Sequence, residues 1–484
     1  MAGIIVRQDM TFANFAEAYN ERESRQQMLQ TAPTPTLGAP WYEHSVASVW
    51  ALENLRHGLT LLNTCSMFDS DGISERLFTE TFGKIELNGL PSTSIDYQQA
   101  RNELLATSII SGEKASAKLY VHRLIQDVAR MRLDALEFRQ TFMACVHMVW
   151  RLWPFENFTF RHNVDRWSVC EELFPHVLRL QETAVQNQLF PSDDDWDGDF
   201  VFARLLTDAG WYHHERGRSA EASWFHNVAE DICQTWVERL NTSEHSTADS
   251  KHKLQRLNAT LAEIIHNRGC IATETNQPAL AFKHFKEFNA KMMAEFEATP
   301  SLFKCDMRLA ISWNELGNAH MLNKHWQEGE HCFRRSMDTM RQLENFKRSN
   351  LSFALVNLGL AHWLQNRLPE ALDALKQGLK DRQDAFGPDD RISFVTGRYL
   401  HALGNVLASM GDQELSLEYH RKALFHDKST LGNAHHRTAD LFVKLAEHSM
   451  RMKQDDNALF VIYREKPRSC ALLTCATGHC WITL

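Results

Sequence analysis

One helical pattern is written three times between Trp313 and Ala423, and it constrains the fold more than any other feature of the 484 residues. It begins as Trp313-Asn314-Glu315-Leu316-Gly317-Asn318, returns as Leu355-Val356-Asn357-Leu358-Gly359, and returns again as Leu400-His401-Ala402-Leu403-Gly404-Asn405. Each Leu-Gly pair is followed, a helix length later, by a second amphipathic segment: Gly329 to Phe333, Ala371 to Leu375, and Ser416 through His420 to Ala423. A small residue where two helices cross, with large residues three and four positions away, is what a packed helical hairpin needs. The residues expected at these crossings are Leu316, Gly317, Phe333, Leu358, Gly359, Ala371, Leu403, Gly404 and Ala423. Gly317 and Gly359 are 42 residues apart and Gly359 and Gly404 are 45 apart. Periods of this size mark a helical solenoid.

Trp313-x-x-Leu316-Gly317, with Phe333 on the second helix, resembles the tetratricopeptide repeat. The longer period, the Asn-Leu-Gly wording and the Phe386-Gly387-Pro388-Asp389-Asp390 turn are similar to its kinesin-light-chain variety. Weaker copies run Leu206…Gly210…Ala222…Ala229 and Ile265…Gly269…Ala281…Phe285, and a last one, Phe442…Leu445-Ala446…Ala458, follows Gly404 by 42 residues. The departures are Gly329 and Ser416 where Ala is usual, Gly378 late in a second helix, and Ala446 in place of Gly. All exchange small for small, so the hairpins stand.

A formal net charge of −9 argues against a general nucleic-acid binder, because phosphate contacts need clustered Lys and Arg. No run of about 18 apolar residues occurs and the N-terminus lacks a basic-then-apolar signal pattern, so a soluble, cytoplasmic protein without membrane contact is expected. The ten cysteines are scattered without Cys-x-x-Cys pairs, which suits reduced, mostly buried thiols.

Residues 1–30 predict one or two helices with Phe12, Phe15 and Tyr19 on one face. Residues 31–43 are a Pro-rich linker. A helix starts near His44 with Val46, Val49, Trp50, Leu52 and Leu55 as its stripe, and further helices follow around 59–62 and 73–82. Lys118-Leu119-Tyr120-Val121-His122 predicts one short strand leading into a helix from Arg123 to Leu136. Several helices, a strand and a closing helix over 44–137 predict a winged-helix-like module. Connecting helices over 138–190, an acidic linker at 191–199, repeats over 200–463 and an atypical, disordered tail at 464–484 complete the expected organisation. The expected fold class is therefore mainly all-α, a winged-helix-like helical module followed by a tetratricopeptide-type α-solenoid.

The wording Phe12-Ala13-Asn14-Phe15, His44-Ser45-Val46-Ala47, Leu61-Leu62-Asn63, Val121-His122-Arg123-Leu124-Ile125-Gln126-Asp127-Val128 and Trp153-Pro154 resembles fungal STAND regulators of the NB-ARC type. Glu171-Glu172-Leu173-Phe174-Pro175-His176-Val177 is also similar to that family's lead-in to its repeats. The resemblance covers roughly residues 3 to 463 and implies a nucleotide-binding domain followed by such a module and by tetratricopeptide repeats. This chain contains no Gly-x-x-x-x-Gly-Lys-Ser/Thr run to cradle phosphates, and Gly83-Lys84-Ile85 lacks both the first glycine and the hydroxyl. The resemblance thus implies a chain that starts where the ATPase ends, with residues 1–30 as a helical remnant.

Other chemistry-bearing clusters have simpler explanations. Asp193-Asp194-Asp195-Trp196-Asp197-Gly198 matches half of a calcium loop, but its twelfth position is Arg204, and a helix start accounts for the same carboxylates. His122 lacks a nucleophile or carboxylate in a motif around it, and is expected at a strand–helix junction. His213-His214 and His435-His436 point about 100° apart on a helix and cannot converge on a metal, so surface positions are expected. Cys470, Cys475 and Cys480 lack the spacing of zinc pairs. Fifteen residues from Cys470 are too few to span about 30 Å of bilayer, and Cys480 is one position too early for prenylation. No catalytic residue, metal set or cofactor is predicted.

Function must then come from the repeats. Stacked hairpins curve, and the first helix of each lines the concave face as a long groove. The template puts Asn314, Asn318 and Met321 on that face, then Asn357, Leu360 and Trp363, then Arg398, His401 and Asn405. Asn can donate to and accept from a peptide backbone, Trp363 offers an apolar anchor and Arg398 a carboxylate partner. The expected function is a non-enzymatic scaffold for a peptide or protein ligand, with a full-length STAND relative among candidate partners. The alternative is the regulatory half of an ATP-driven STAND switch whose NTPase is supplied elsewhere. A third reading, an enzyme hidden among the helices, has no acid-base pair to support it.

Overall fold

The computed structural model describes residues 52–451 except 159, 160, 193, 194 and 243–246, together with scattered positions between 11 and 28. Most of the expected 1–30 helices, the 31–43 linker, the start of the His44 helix, Asp193 and Asp194, the Ala458 helix and the tail with its three cysteines lie outside the described residues. The chain divides into two compact units, Met1–Trp153 with Val169–Leu205 and Pro154–Ser168 with Leu206–Leu484.

In the first unit, helices α1 (Leu59–Met67), α2 (Arg76–Thr79), α3 (Ser94–Ala106), α4 (Arg123–Met131) and α5 (Ala135–Leu152) surround a small antiparallel sheet. Its strands β1 (Ile73–Ser74), β2 (Ile110–Glu113) and β3 (Lys118–Val121) lie in the order β1-β3-β2, with Ile73 opposite Leu119 and Ile110 opposite Val121. Alternation in β3 buries Leu119 and Val121, the period-2 signal visible in the sequence. The two partner strands carried no such signal, being very short (β1) or largely exposed (β2). His122 ends β3 by accepting the Leu124 N–H on Nδ1 at 3.2 Å, which caps α4. The single helix expected from 123 to 136 is two helices. Asp134 Oδ1 accepts the Glu137 N–H at 2.8 Å while Glu137 Oε2 accepts the Asp134 N–H at 3.1 Å, and this capping box starts α5 afresh.

Helices α6 (Trp167–Gln186) and α7 (Trp196–Glu215) follow. The acidic stretch at 191–199 is already helical from Trp196. Asp195 Oδ1 accepts the Gly198 N–H at 2.9 Å and Asp199 Oδ2 accepts the Ser192 N–H at 2.7 Å, so these two carboxylates satisfy backbone donors around a helix start, and Asp197 lies in its first turn.

The second unit is a stack of helical hairpins. Their pairs are α7 with α8 (Ser219–Thr242), α9 (Ala248–Glu274) with α10 (Pro278–Ala298), and α12 (Arg308–Leu322) with α13 (Trp326–Met340) after the short α11 (Leu302–Cys305). Then come α14 (Ser352–Leu364) with α15 (Leu368–Phe386) and α16 (Val395–Ser409) with α17 (Gln413–Thr430), before α18 (His436–Arg451). The chain is thus an all-α tetratricopeptide-type solenoid with one small sheet in its first unit.

A single spacing rule builds the hairpins. A Cβ placed on Gly317 would meet the Phe333 ring at 2.5 Å, one on Gly269 would meet Phe285 at 2.4 Å, and one on Gly359 would meet Leu375 at 2.6 Å. A Cβ on Gly404 would likewise run into the His420 ring, and one on Gly210 would meet His226 at 2.8 Å. Every one of these partners lies sixteen positions after its glycine. The glycines let the second helix press its large side chain onto first-helix backbone, and Phe333, Phe285 and Leu375 are fully buried as a result. The unusual small residues also have reasons. Gly378 leaves room for the Tyr399 ring, whose hydroxyl donates to the Ser352 carbonyl at 2.6 Å, and Ser416 Oγ donates to the Gly404 carbonyl at 2.7 Å.

Within this unit the start of α18 meets the ends of α7 and α9. His435 Nε2 lies 3.0 Å from the Glu215 carbonyl, and Arg437 Nη2 donates to Glu274 Oε1 at 2.6 Å. His213 and His435, expected at the surface, are buried: His213 lies against Glu221 and Phe225 of α8, and His435 against the end of α7, contacts that one isolated helix would not show. Among the described residues no helix is long and apolar enough to cross a membrane.

Candidate functional site

The first helices of the hairpins, together with α18, line a cavity of about 810 Å³. Trp211 from α7, His266 and Glu274 from α9, Asn314 and Glu315 from α12, Phe353 from α14, Arg398 from α16 and Arg437 from α18 all face it. The volume falls in the range of about 300–1,000 Å³ typical of ligand pockets. Apolar rings and charged groups of both signs share its wall.

A continuous polar chain crosses three of these helices. Asn318 Nδ2 donates to Glu315 Oε2 at 2.9 Å, and Asn314 Nδ2 donates to Glu315 Oε1 at 3.0 Å. Asn314 Oδ1 accepts from Asn357 Nδ2 at 3.0 Å, and Asn357 Oδ1 accepts from Arg398 Nη2 at 2.7 Å. Burial pushes the Glu315 carboxyl up, against the pull of its two amide donors, while burial lowers the Arg398 guanidinium to about 10. Asn318 Oδ1 is buried without a hydrogen-bond partner and is the open acceptor at the Glu315 end.

Three of the nine expected groove residues, Asn314, Asn318 and Arg398, line the cavity. Asn357 stands behind them, fully buried, with its amide used by both neighbours. Met321 is fully buried at the hairpin crossing, because Gly329 lacks the Cβ that would sit 2.7 Å from its sulfur. Leu360 and Trp363 are half-buried against the hydrophobic core, and Trp363 Nε1 donates to Ser409 Oγ at 2.8 Å. Asn405 Oδ1 lies 3.1 Å from His420 Nε2, and the His401 ring lies 5.5 Å from the His420 ring. These last five residues do not line the cavity: Met321, His401 and Asn405 pack on the second helix of their own hairpin, and Leu360 and Trp363 pack into the core, with Trp363 reaching the next hairpin at Ser409. All nine expected packing residues are buried: Leu316, Gly317, Phe333, Leu358, Gly359, Ala371, Leu403, Gly404 and Ala423.

The sequence reading missed the segment 154–168. It enters the cavity from outside the repeats and brings Phe158, Arg161 and His162 to the wall. The Arg161 guanidinium lies 4.3 Å from the Trp211 ring and 4.5 Å from Phe158, and Nη2 donates to Asn267 Oδ1 at 3.0 Å. The Phe158 ring lies 4.8 Å from His266, and the His162 ring 4.7 Å from Phe353. Val164 N–H donates to the Ile392 carbonyl at 2.9 Å, and Arg166 Nη1 donates to Asp208 Oδ2 at 2.6 Å. The run Phe155-Glu156-Asn157-Phe158 has neither a helical nor a period-2 pattern, so nothing in it marked the segment. Glu315 carried no signal either, being a single acidic residue between Asn314 and Leu316 in a helix.

At the closure, burial alone would raise the Glu274 carboxyl, but Arg437 and His436 beside it hold it well below the usual range. Burial lowers His214 to about 4 and His435 to about 3, so both are neutral. Among the described residues no group of three His, Cys, Asp or Glu side chains could hold a metal ion.

Residues 308–384 match the tetratricopeptide repeat family, and residues 50–138 match a domain of unknown function, DUF7779. No curated protein matches the chain. A STAND protein with a tetratricopeptide repeat sensor from Pyrococcus horikoshii is similar over 96% of this chain and 67% of its own, at 13% identity and a TM-score of 0.42. A Rap protein complexed with competence and sporulation factor is similar over 77% of this chain and 92% of its own, at 13% identity and a TM-score of 0.42. Aspartyl phosphate phosphatase F from Bacillus subtilis is similar over 90% and 95%, at 11% identity and a TM-score of 0.41.

Proposed function

We propose that the chain is a non-enzymatic interaction scaffold that holds a segment of a peptide or protein partner in the cavity on the first-helix face of its repeats. The observation that carries this reading is the wall itself: five first helices and α18 contribute to one cavity, and its polar chain ends on one side at Asn318, whose buried Oδ1 is an open acceptor, and on the other at the half-buried cation of Arg398. A peptide backbone supplies N–H donors for the first and a carboxylate side chain or terminus suits the second. Asn314 and Asn357 hold those two groups in place, and Leu360, Trp363, His401 and Asn405 keep the helices that carry them in register. In this reading the chain needs no cofactor, and descent from a STAND-type regulator of the cytoplasm accounts for its layout.

The test is affinity capture with the full chain and with Asn318→Ala/Arg398→Ala, after circular dichroism shows equal helix content. A partner held by the parent and lost at least tenfold by the double variant supports the scaffold. Equal capture by both overturns it.

A second reading, the regulatory half of an ATP-driven STAND switch, follows from the resemblance of Val121-His122-Arg123-Leu124 and Trp153-Pro154 to that family. It requires that this chain change the ATP hydrolysis rate of a nucleotide-binding domain supplied separately. An unchanged rate with demonstrated mixing removes it.

A further inference from the structure

The segment 154–168 joins α5 to α6 and connects no pair of repeat helices, yet it occupies the face on which the repeats would hold a ligand. The described part of the segment turns at Phe158 and at Arg161–His162 and forms a 3-10 turn over Val164–Arg166, and its contacts pair one backbone hydrogen bond with spaced side chains seated on the repeat helices. The Val164 N–H bond to Ile392 supplies the first, and Phe158 on His266 with Arg161 on Trp211 and Asn267 supplies the second.

The fit of Arg161 is incomplete. Its side chain is 2% exposed, but Nε and Nη1 have no hydrogen-bond partner among the described residues, and Glu263 Oε2 stays 3.6 Å from Nη1. A buried guanidinium with two open donors is costly, and a ligand free to adjust its backbone can satisfy them. The cavity beside the segment gives such a ligand room to begin entering.

We propose that this segment is an intramolecular stand-in for the ligand, and that the partner carries the same recognition set, an aromatic residue three positions before an arginine, as in Phe158-x-x-Arg161. The partner binds by displacing the segment from the pocket made by Trp211, Asn267 and Glu263. Tethering at both ends gives the segment an effective concentration on the order of millimolar, so the pocket of the free protein stays filled and only a tighter or locally concentrated partner enters. This rests on the scaffold reading and names the ligand chemistry for it.

The experiment uses a fluorescent synthetic peptide with the sequence of residues 154–166, titrated by anisotropy into the full chain and into Phe158→Ala/Arg161→Ala. The double variant, with its pocket vacated and its pocket walls intact, is expected to bind at least tenfold tighter than the parent. A peptide with alanine in place of the arginine is expected to lose at least tenfold. A folded variant that binds no better than the parent, or that does not discriminate the alanine peptide, overturns the proposal while leaving the Asn318/Arg398 capture result to stand by itself. Arg161→Gln is the gentler second variant. If both variants lose the helical circular dichroism of the parent, the segment is part of the core, cannot be displaced, and the proposal is wrong.

Discussion

Asn357 Nδ2 donates to Asn314 Oδ1 at 3.0 Å, tying α14 to α12 through two side chains at the level of the concave wall. Asn357 is fully buried, and its own oxygen takes the Arg398 guanidinium, so one amide couples three hairpins. Asn357→Ala strands a buried acceptor on one side and a cation on the other. The expected loss is about 2–3 kcal/mol, read from urea unfolding. A double-mutant cycle with Arg398→Ala should give a coupling of about 1 kcal/mol or more.

Gly317→Ala places a methyl 2.5 Å from the Phe333 ring, which is fully buried and cannot retreat into solvent. Overpacking of this kind costs about 1–3 kcal/mol. Adding Phe333→Leu should recover part of the loss, because the smaller side chain vacates the space the methyl needs. Thermal unfolding of the single and double variants checks the order of stabilities.

Arg437→Ala removes the guanidinium that lies 2.6 Å from Glu274, leaving a carboxylate that is only 10% exposed with His436 beside it. Breaking such a pair by deleting one partner costs about 3–5 kcal/mol. Hydrogen exchange should accelerate first in α18, since Arg437 sits in its first turn and fixes it to α9.

Acidification should loosen the repeats before it affects exposed charges. His214, His401 and His435 are lowered by burial to about 4, about 4 and about 3, so each folded histidine binds fewer protons than its unfolded counterpart near 6.5. Their stabilisation is complete above the unfolded value and drains away as pH falls through the window down to about 4. The raised carboxyls of Glu315, Asp427 and Asp440 work in the opposite sense, but the lowered histidines, which also include His176, His226 and His420, outnumber them. The expected result is a melting temperature lower by roughly 5–10 °C at pH 5 than at pH 7. A melting temperature that is flat or rises on acidification contradicts it.

Much of the second unit was readable because its signals are local. The glycine of each first helix and the large residue sixteen positions later belong to one hairpin, and the same pair recurs at Gly317 and Phe333, Gly359 and Leu375, Gly404 and His420. The strand at Lys118–Val121 was readable for the same reason, as a period-2 run. Its partner strands were not, since strands this short lack a period and acquire their conformation by pairing. The break at Asp134 was written in the sequence as a capping box but is indistinguishable there from ordinary acidic residues on a helix face.

The repeat period thus follows from residues a few turns apart, where helix geometry alone says which side chains meet. The candidate site does not. Arg161 reaches Asn267 across 106 residues, and His435 reaches Glu215 across 220. Those meetings depend on the small rotation between successive hairpins, summed over the whole array, which no local propensity specifies. For the same reason Asn314, Asn318 and Arg398 face the cavity while Met321, Asn357 and Trp363 turn into helix contacts. Spacing assigns all six to one helix stripe, and only the packed neighbours determine which part of that stripe stays open.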